Sequence, residues 1–158
     1  MLMKRRKTQG RKIDEISTGE RLVITEKIED KDLLLYLGLT DDANPLYIQH
    51  DYASRTPQKQ PIVPPIMLTG IITSAVTKYL PGPGSMIKAQ QFSFPHPAYH
   101  YENINYEFEV REVLTDEHIV IIGVSATSES GEVVVEGTID VCPPYPFEPI
   151  TGRMLDNF

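Results

Sequence analysis

Tryptophan is absent from these 158 residues, and cysteine occurs once, as Cys142. A lone thiol excludes an internal disulfide framework and a zinc site built from cysteines, leaving an inert or mildly reactive side chain. A long hydrophobic run is also missing. The most apolar stretch, residues 62–76, is broken by Pro64, Pro65 and several hydroxyl residues, well short of the roughly 18–20 apolar residues that span a bilayer. No membrane span is expected. Acidic residues are missing from the first twelve positions, which hold six of the 15 basic residues (Lys4, Arg5, Arg6, Lys7, Arg11, Lys12). No apolar stretch follows that basic start, so the secretory pattern is not met and the chain is expected to stay in the cytoplasm.

The other nine basic residues stand against all 22 acidic ones, a net −13 over residues 13–158. Such a body repels phosphates, and any nucleic-acid surface would have to come from the short basic arm, which reads more simply as a frayed terminus. Nucleic acid is therefore not an expected partner. With 41% apolar and 23% charged residues, one packed domain is expected. Its bounds are taken as 13–142, between a basic arm (1–12) and a proline-rich tail (143–158) that cannot continue a central strand.

Arg21 to Ile28 is short and β-branched, as a strand is. Asp30 stands as an N-cap, Leu33, Leu34 and Leu37 recur at helical spacing, and Gly38 follows, so Lys31 to Leu37 reads as a short amphipathic helix. Thr40 to Tyr47 (TDDANPLY) reads as a shaped loop, with Asn44 held away from helical angles by Pro45. Pro64 and Pro65 open, and Pro81-Gly82-Pro83-Gly84 close, a segment that is apolar or small on nearly every face; the spacing predicts one buried central helix. Strands are predicted at 86–94, 104–113, 118–127 and 132–141, joined as an antiparallel meander with turns at Asp116-Glu117 and Ser130-Gly131. The fold class is α+β, an antiparallel sheet against one buried helix.

That order of elements agrees with the hot-dog architecture, and DANPLY, PIVPPIMLTGIITSAVTKYLPGPGS and QFSFPHPAY together resemble the MaoC-like (R)-specific enoyl-CoA hydratases over residues 40–98. The resemblance implies a homodimer, or a heteromer with an active hot-dog subunit. It also implies an acyl-CoA or acyl-carrier-protein thioester as ligand, with no cofactor and no metal. In that family an Asp and a His hold the water that adds to a trans-2-enoyl thioester, and a backbone amide binds the thioester oxygen as negative charge develops there.

Carried over by position, the acid is Asp42, the base position holds Tyr47, and the helix hydroxyl is Thr73. Asn44, Pro65, Ile66 and Gln90 fall on the substrate-binding side. The dyad is incomplete, because a phenol titrates near pH ~10 and is ionised in roughly one molecule per thousand at neutrality. Pro65 stands where the amide donor should be, and proline has no N–H. Losing one oxyanion donor alone costs about 10² to 10³ in rate. His50, three residues past Tyr47, is a candidate substitute base.

Each residue also has a plainer reading. Asp42 and Asn44 can serve an Asx-type turn, His96 and His100 can be exposed turn residues, His118 can open a surface strand, and Tyr99, Tyr101 and Tyr106 can be sheet packing. No two histidines have ligand spacing on one element. Three functions remain open at this point: a weak or altered hydratase, a non-catalytic subunit or acyl-thioester sensor, and a thioesterase in which a carboxylate activates water toward the carbonyl.

Overall fold

The computed structural model describes residues 9–146. Strands β1 (Arg21–Lys27), β2 (Met86–Ser93), β3 (Asn103–Leu114), β4 (Ile119–Thr127) and β5 (Val133–Cys142) form one antiparallel sheet. Helices α1 (Asp30–Thr40), α2 (Pro45–Ile48), α3 (His50–Ala53) and α4 (Pro65–Tyr79) lie between β1 and β2 in the chain. The strand order is β1-β3-β4-β5-β2. The predicted meander therefore holds for β3 to β5 only. β2 skips β3 and pairs with β5, and β1 closes the other edge.

Alternation sets the packed face. Ile104, Tyr106, Phe108 and Val110 of β3 are fully buried, and across the ladder Ile24 faces Tyr106 and Leu22 faces Phe108. With Val120, Ile122, Ile139 and Val141 they form an apolar floor on which Leu68, Ile72, Ala75 and Val76 of α4 rest. Each Val, Leu, Ile or Phe among them contributes about 1.5–3 kcal/mol by leaving water. The helix is not enclosed on every side as its composition suggested. Ile66 and Tyr79 are more than half exposed, because within one chain the sheet covers a single face of α4.

The first helix also departs from expectation. Glu29, not Asp30, is its N-cap; the Glu29 amide donates to Asp32 Oδ2 at 2.9 Å. Gly38 lies inside it. The chain turns out only at Asp41, which takes left-handed angles (φ 54°) while its amide donates to Leu37 O, a conformation Asp tolerates better than most residues. None of the helix is buried, and Leu34, Leu35 and Leu39 stand in the open.

Of the basic arm, residues 1–8 lie outside the described residues, but its inner end is docked. The Gly10 and Arg11 amides donate to Pro83 O and Pro81 O, and the Arg11 guanidinium pairs with both Glu20 oxygens. Any side chain at Gly10 would collide with the Gly82 backbone, 2.7 Å from an added Cβ. The far end of the proline-rich tail, 147–158, is likewise outside the described residues. Pro143 O accepts from His118 Nε2 at 2.8 Å, and Tyr145 stacks on His118. His118 is thus half-buried under the tail, not a free surface residue. Among the described residues no helix is long and apolar enough to cross a membrane.

Candidate functional site

The segment between α1 and α2 takes its shape from two short side chains. Asn44, extended by the following proline (ψ 122°), accepts from the Leu46 amide at 3.0 Å and caps α2. Asp42 accepts from the Asn44 amide through Oδ1 at 3.3 Å. Its other oxygen, Oδ2, accepts from the Tyr36 hydroxyl at 2.6 Å, the length of a charge-assisted O–H···O bond. That bond to Asp42 pushes the Tyr36 phenol above its ordinary value, since ionisation would set two negative charges side by side.

Tyr47, the family's base position, meets Tyr36 edge to face, with ring centroids 6.4 Å apart. Asp42, Tyr36 and Tyr47 thus form one cluster. Tyr36 was not singled out from the sequence. Only the continuation of α1 to Thr40 places residue 36 one turn back from the loop and over Asp42, and with Gly38 taken as a stop that geometry is lost.

Tyr36 also lines a groove of about 570 Å³ between α1, β1 and α4. Leu35, Leu39, Ile24, Ile66, Met67 and Ile71 make most of its wall, with Glu26, Ser74 and Lys78 as polar points on it. Such a lining suits hydrocarbon. Of the substrate-side residues named from the sequence, Ile66 is on this wall. Pro65 is the first residue of α4, so the first amide hydrogen the helix can offer is that of Ile66; the next, Met67 N–H, donates to Pro64 O at 2.9 Å.

Two named residues sit elsewhere. Thr73 Oγ1 donates to Thr69 O at 2.9 Å along its own helix. Gln90 lies exposed on β2, at the opposite edge from β1, four strand spacings or about 19 Å away.

His50 is exposed at the start of α3. Near it lies His100, which is not the exposed turn residue expected. Both its ring nitrogens are buried with no hydrogen-bond partner among the described residues. Burial pushes it below the ordinary histidine value, with the nearby Ile62 backbone and Asp30 opposing and His50 reinforcing that shift. Among the described residues no three His, Cys, Asp or Glu side chains converge as a metal site would require.

A five-stranded antiparallel sheet laid over one long helix, with helix and sheet order as found here, is a hot-dog domain. No family model matches the chain. It is 28% identical over 131 residues to the (R)-specific enoyl-CoA hydratase of Rhodospirillum rubrum, covering 83% of this chain and 90% of that protein. Among solved structures, the unliganded R-hydratase PhaJ1 of Pseudomonas aeruginosa superposes with a TM-score of 0.80 at 26% identity, covering 91% of this chain and 97% of that one. The ChsH1-ChsH2 complex of Mycobacterium tuberculosis shares the fold (TM-score 0.72, 20% identity, 80% and 98% covered). The chain has the hot-dog fold and is related to the (R)-specific enoyl-CoA hydratases.

Proposed function

We propose that this chain binds an acyl thioester, carried on coenzyme A or on a carrier protein, in the groove beside α4. There it adds water to a trans-2-enoyl group slowly, around Asp42. The observation that carries the reading is Asp42 itself, kept in its DANPLY loop and joined through Tyr36 to an apolar groove, in a relative of hydratases. In the step this supports, the water oxygen bonds to the β-carbon as one water proton passes to the Asp42 carboxylate. The α-carbon then takes that proton, the carboxylate is regenerated, and the thioester stays intact. The Ile66 amide, one residue past the proline, is the available donor for the thioester oxygen. Asn44 holds the loop, while Thr73 and Gln90 have no part in this step.

Hydration of crotonyl-CoA, followed by loss of enoyl absorbance, tests it. The expected outcome is a slow rate that falls about 100-fold or more in Asp42→Asn. Equal rates in both proteins would remove catalysis, and calorimetry with crotonyl-CoA would then show whether binding survives.

One observation favours a second reading, a non-catalytic subunit paired with a competent hot-dog chain. Leu35, Leu39, Ile66 and Tyr79 on the groove rim are 58% to 86% exposed, an apolar rim that a second chain, identical or not, would cover. Full hydratase activity only after adding a co-purifying partner would favour it.

A further inference from the structure

The geometry assigns to Tyr36, on the wall of the groove, the task of fixing the Asp42 carboxylate, as a positioning residue rather than a proton carrier. This rests on the reading that the groove takes an acyl thioester. A carboxylate on a short side chain rotates freely about its last torsion unless its oxygens are held, and the two restraints on Asp42 are unequal. The Asn44 amide reaches Oδ1 at 3.3 Å, a weak contact, whereas the Tyr36 hydroxyl reaches Oδ2 at 2.6 Å. Tyr36 is therefore the stronger restraint, and it also lines the groove, so it faces carboxylate and ligand together.

Its own ring is held in turn. Tyr47 packs edge-on against it, a contact that fixes an aromatic plane without supplying a base. The two phenols divide the work: Tyr47 braces Tyr36, and Tyr36 orients Asp42. The single Tyr36 proton is committed to Asp42, so the phenol cannot also donate to the thioester oxygen, which leaves that role to the Ile66 amide.

The test is Tyr36→Phe in the full chain, which deletes one hydroxyl and keeps the ring. Hydrogen bonds to charged groups correspond to about 10- to 100-fold, so kcat for crotonyl-CoA hydration should fall by about that factor while KM stays within about threefold. A purely packing role would not separate the two constants. Tyrosinate absorbance gives a readout that needs no turnover. The titration of the wild type minus that of Tyr36→Phe isolates one phenol, expected to ionise above the ordinary value of about 10; the same difference taken in an Asp42→Asn background should fall back toward it. An unshifted phenol in both backgrounds, or an unchanged kcat, overturns the assignment. If the wild type neither binds nor hydrates crotonyl-CoA, the thioester reading fails by itself, and the titration still decides whether Tyr36 holds Asp42.

Discussion

Replacing Pro65 by a residue with an amide hydrogen should make this protein a faster hydratase. Pro65 is the first residue of α4, where an N–H finds no carbonyl within the helix and is free for a ligand. Pro64 and Pro65 offer none, Met67 N–H is committed to Pro64 O, and among the described residues the Ile66 amide has no backbone partner. A single oxyanion donor is worth about 10² to 10³ in rate, or about 2.7–4 kcal/mol of transition-state stabilisation. Against that, Pro65→Gly frees a backbone that proline had restricted, a loss of about 1 kcal/mol, small beside the ~5–15 kcal/mol stability of a typical domain. The folded population stays near complete, and the net expectation is a gain of about 100-fold in kcat on crotonyl-CoA.

Pro65→Ala carries the same amide with less flexibility and should gain similarly, which separates donor from flexibility. Adding Tyr47→His returns an imidazole base and should raise the rate again, by less than the about 10²- to 10⁴-fold of an isolated general base, because the groups act as a unit. Both variants folded, with unfolding temperatures close to wild type and rates unchanged in either background, would refute the idea that the missing amide and imidazole limit the reaction.

Three other outcomes follow from particular side chains. Tyr106 is fully buried and its hydroxyl has no partner among the described residues, so Tyr106→Phe should raise stability by about 1 kcal/mol in urea titrations, the burial cost of an unpaired hydroxyl being about 1–3 kcal/mol; a lower midpoint would mean the hydroxyl has a partner. Gly137 holds φ 155°, and an added Cβ would collide with the Gln91 carbonyl oxygen on β2, so Gly137→Ala should cost about 2–4 kcal/mol by breaking the β2–β5 ladder, and protease nicking within β2 would report it. His100, held below its ordinary value of 6.5 by burial, binds fewer protons folded than unfolded. Its contribution is therefore intact above about pH 6.5 and is lost as pH falls through the lower folded value. The melting temperature of His100→Leu should show a shallower acid limb, and identical limbs would contradict this origin.

Much of the architecture is legible along the chain because it rests on local rules. Alternation in residues 104–141 marks the strands, Pro64-Pro65 and the Pro-Gly run mark the ends of α4, and Asn44-Pro45 marks the capped loop around Asp42, each through constraints that act within a few residues. Which strands touch is a different matter. Pairing β2 with β5 and β1 with β3 depends on which edges remain open once the sheet closes over α4, and no short-range signal encodes it. The same holds for the site. Asp42 and Tyr47 are visible as a motif, but Tyr36 joins them only because α1 runs through Gly38 to Thr40, and the burial of the His100 ring is a property of the folded chain that no short-range signal announces. Backbone preference settles where elements begin and end; the burial of one face against another settles which side chains meet.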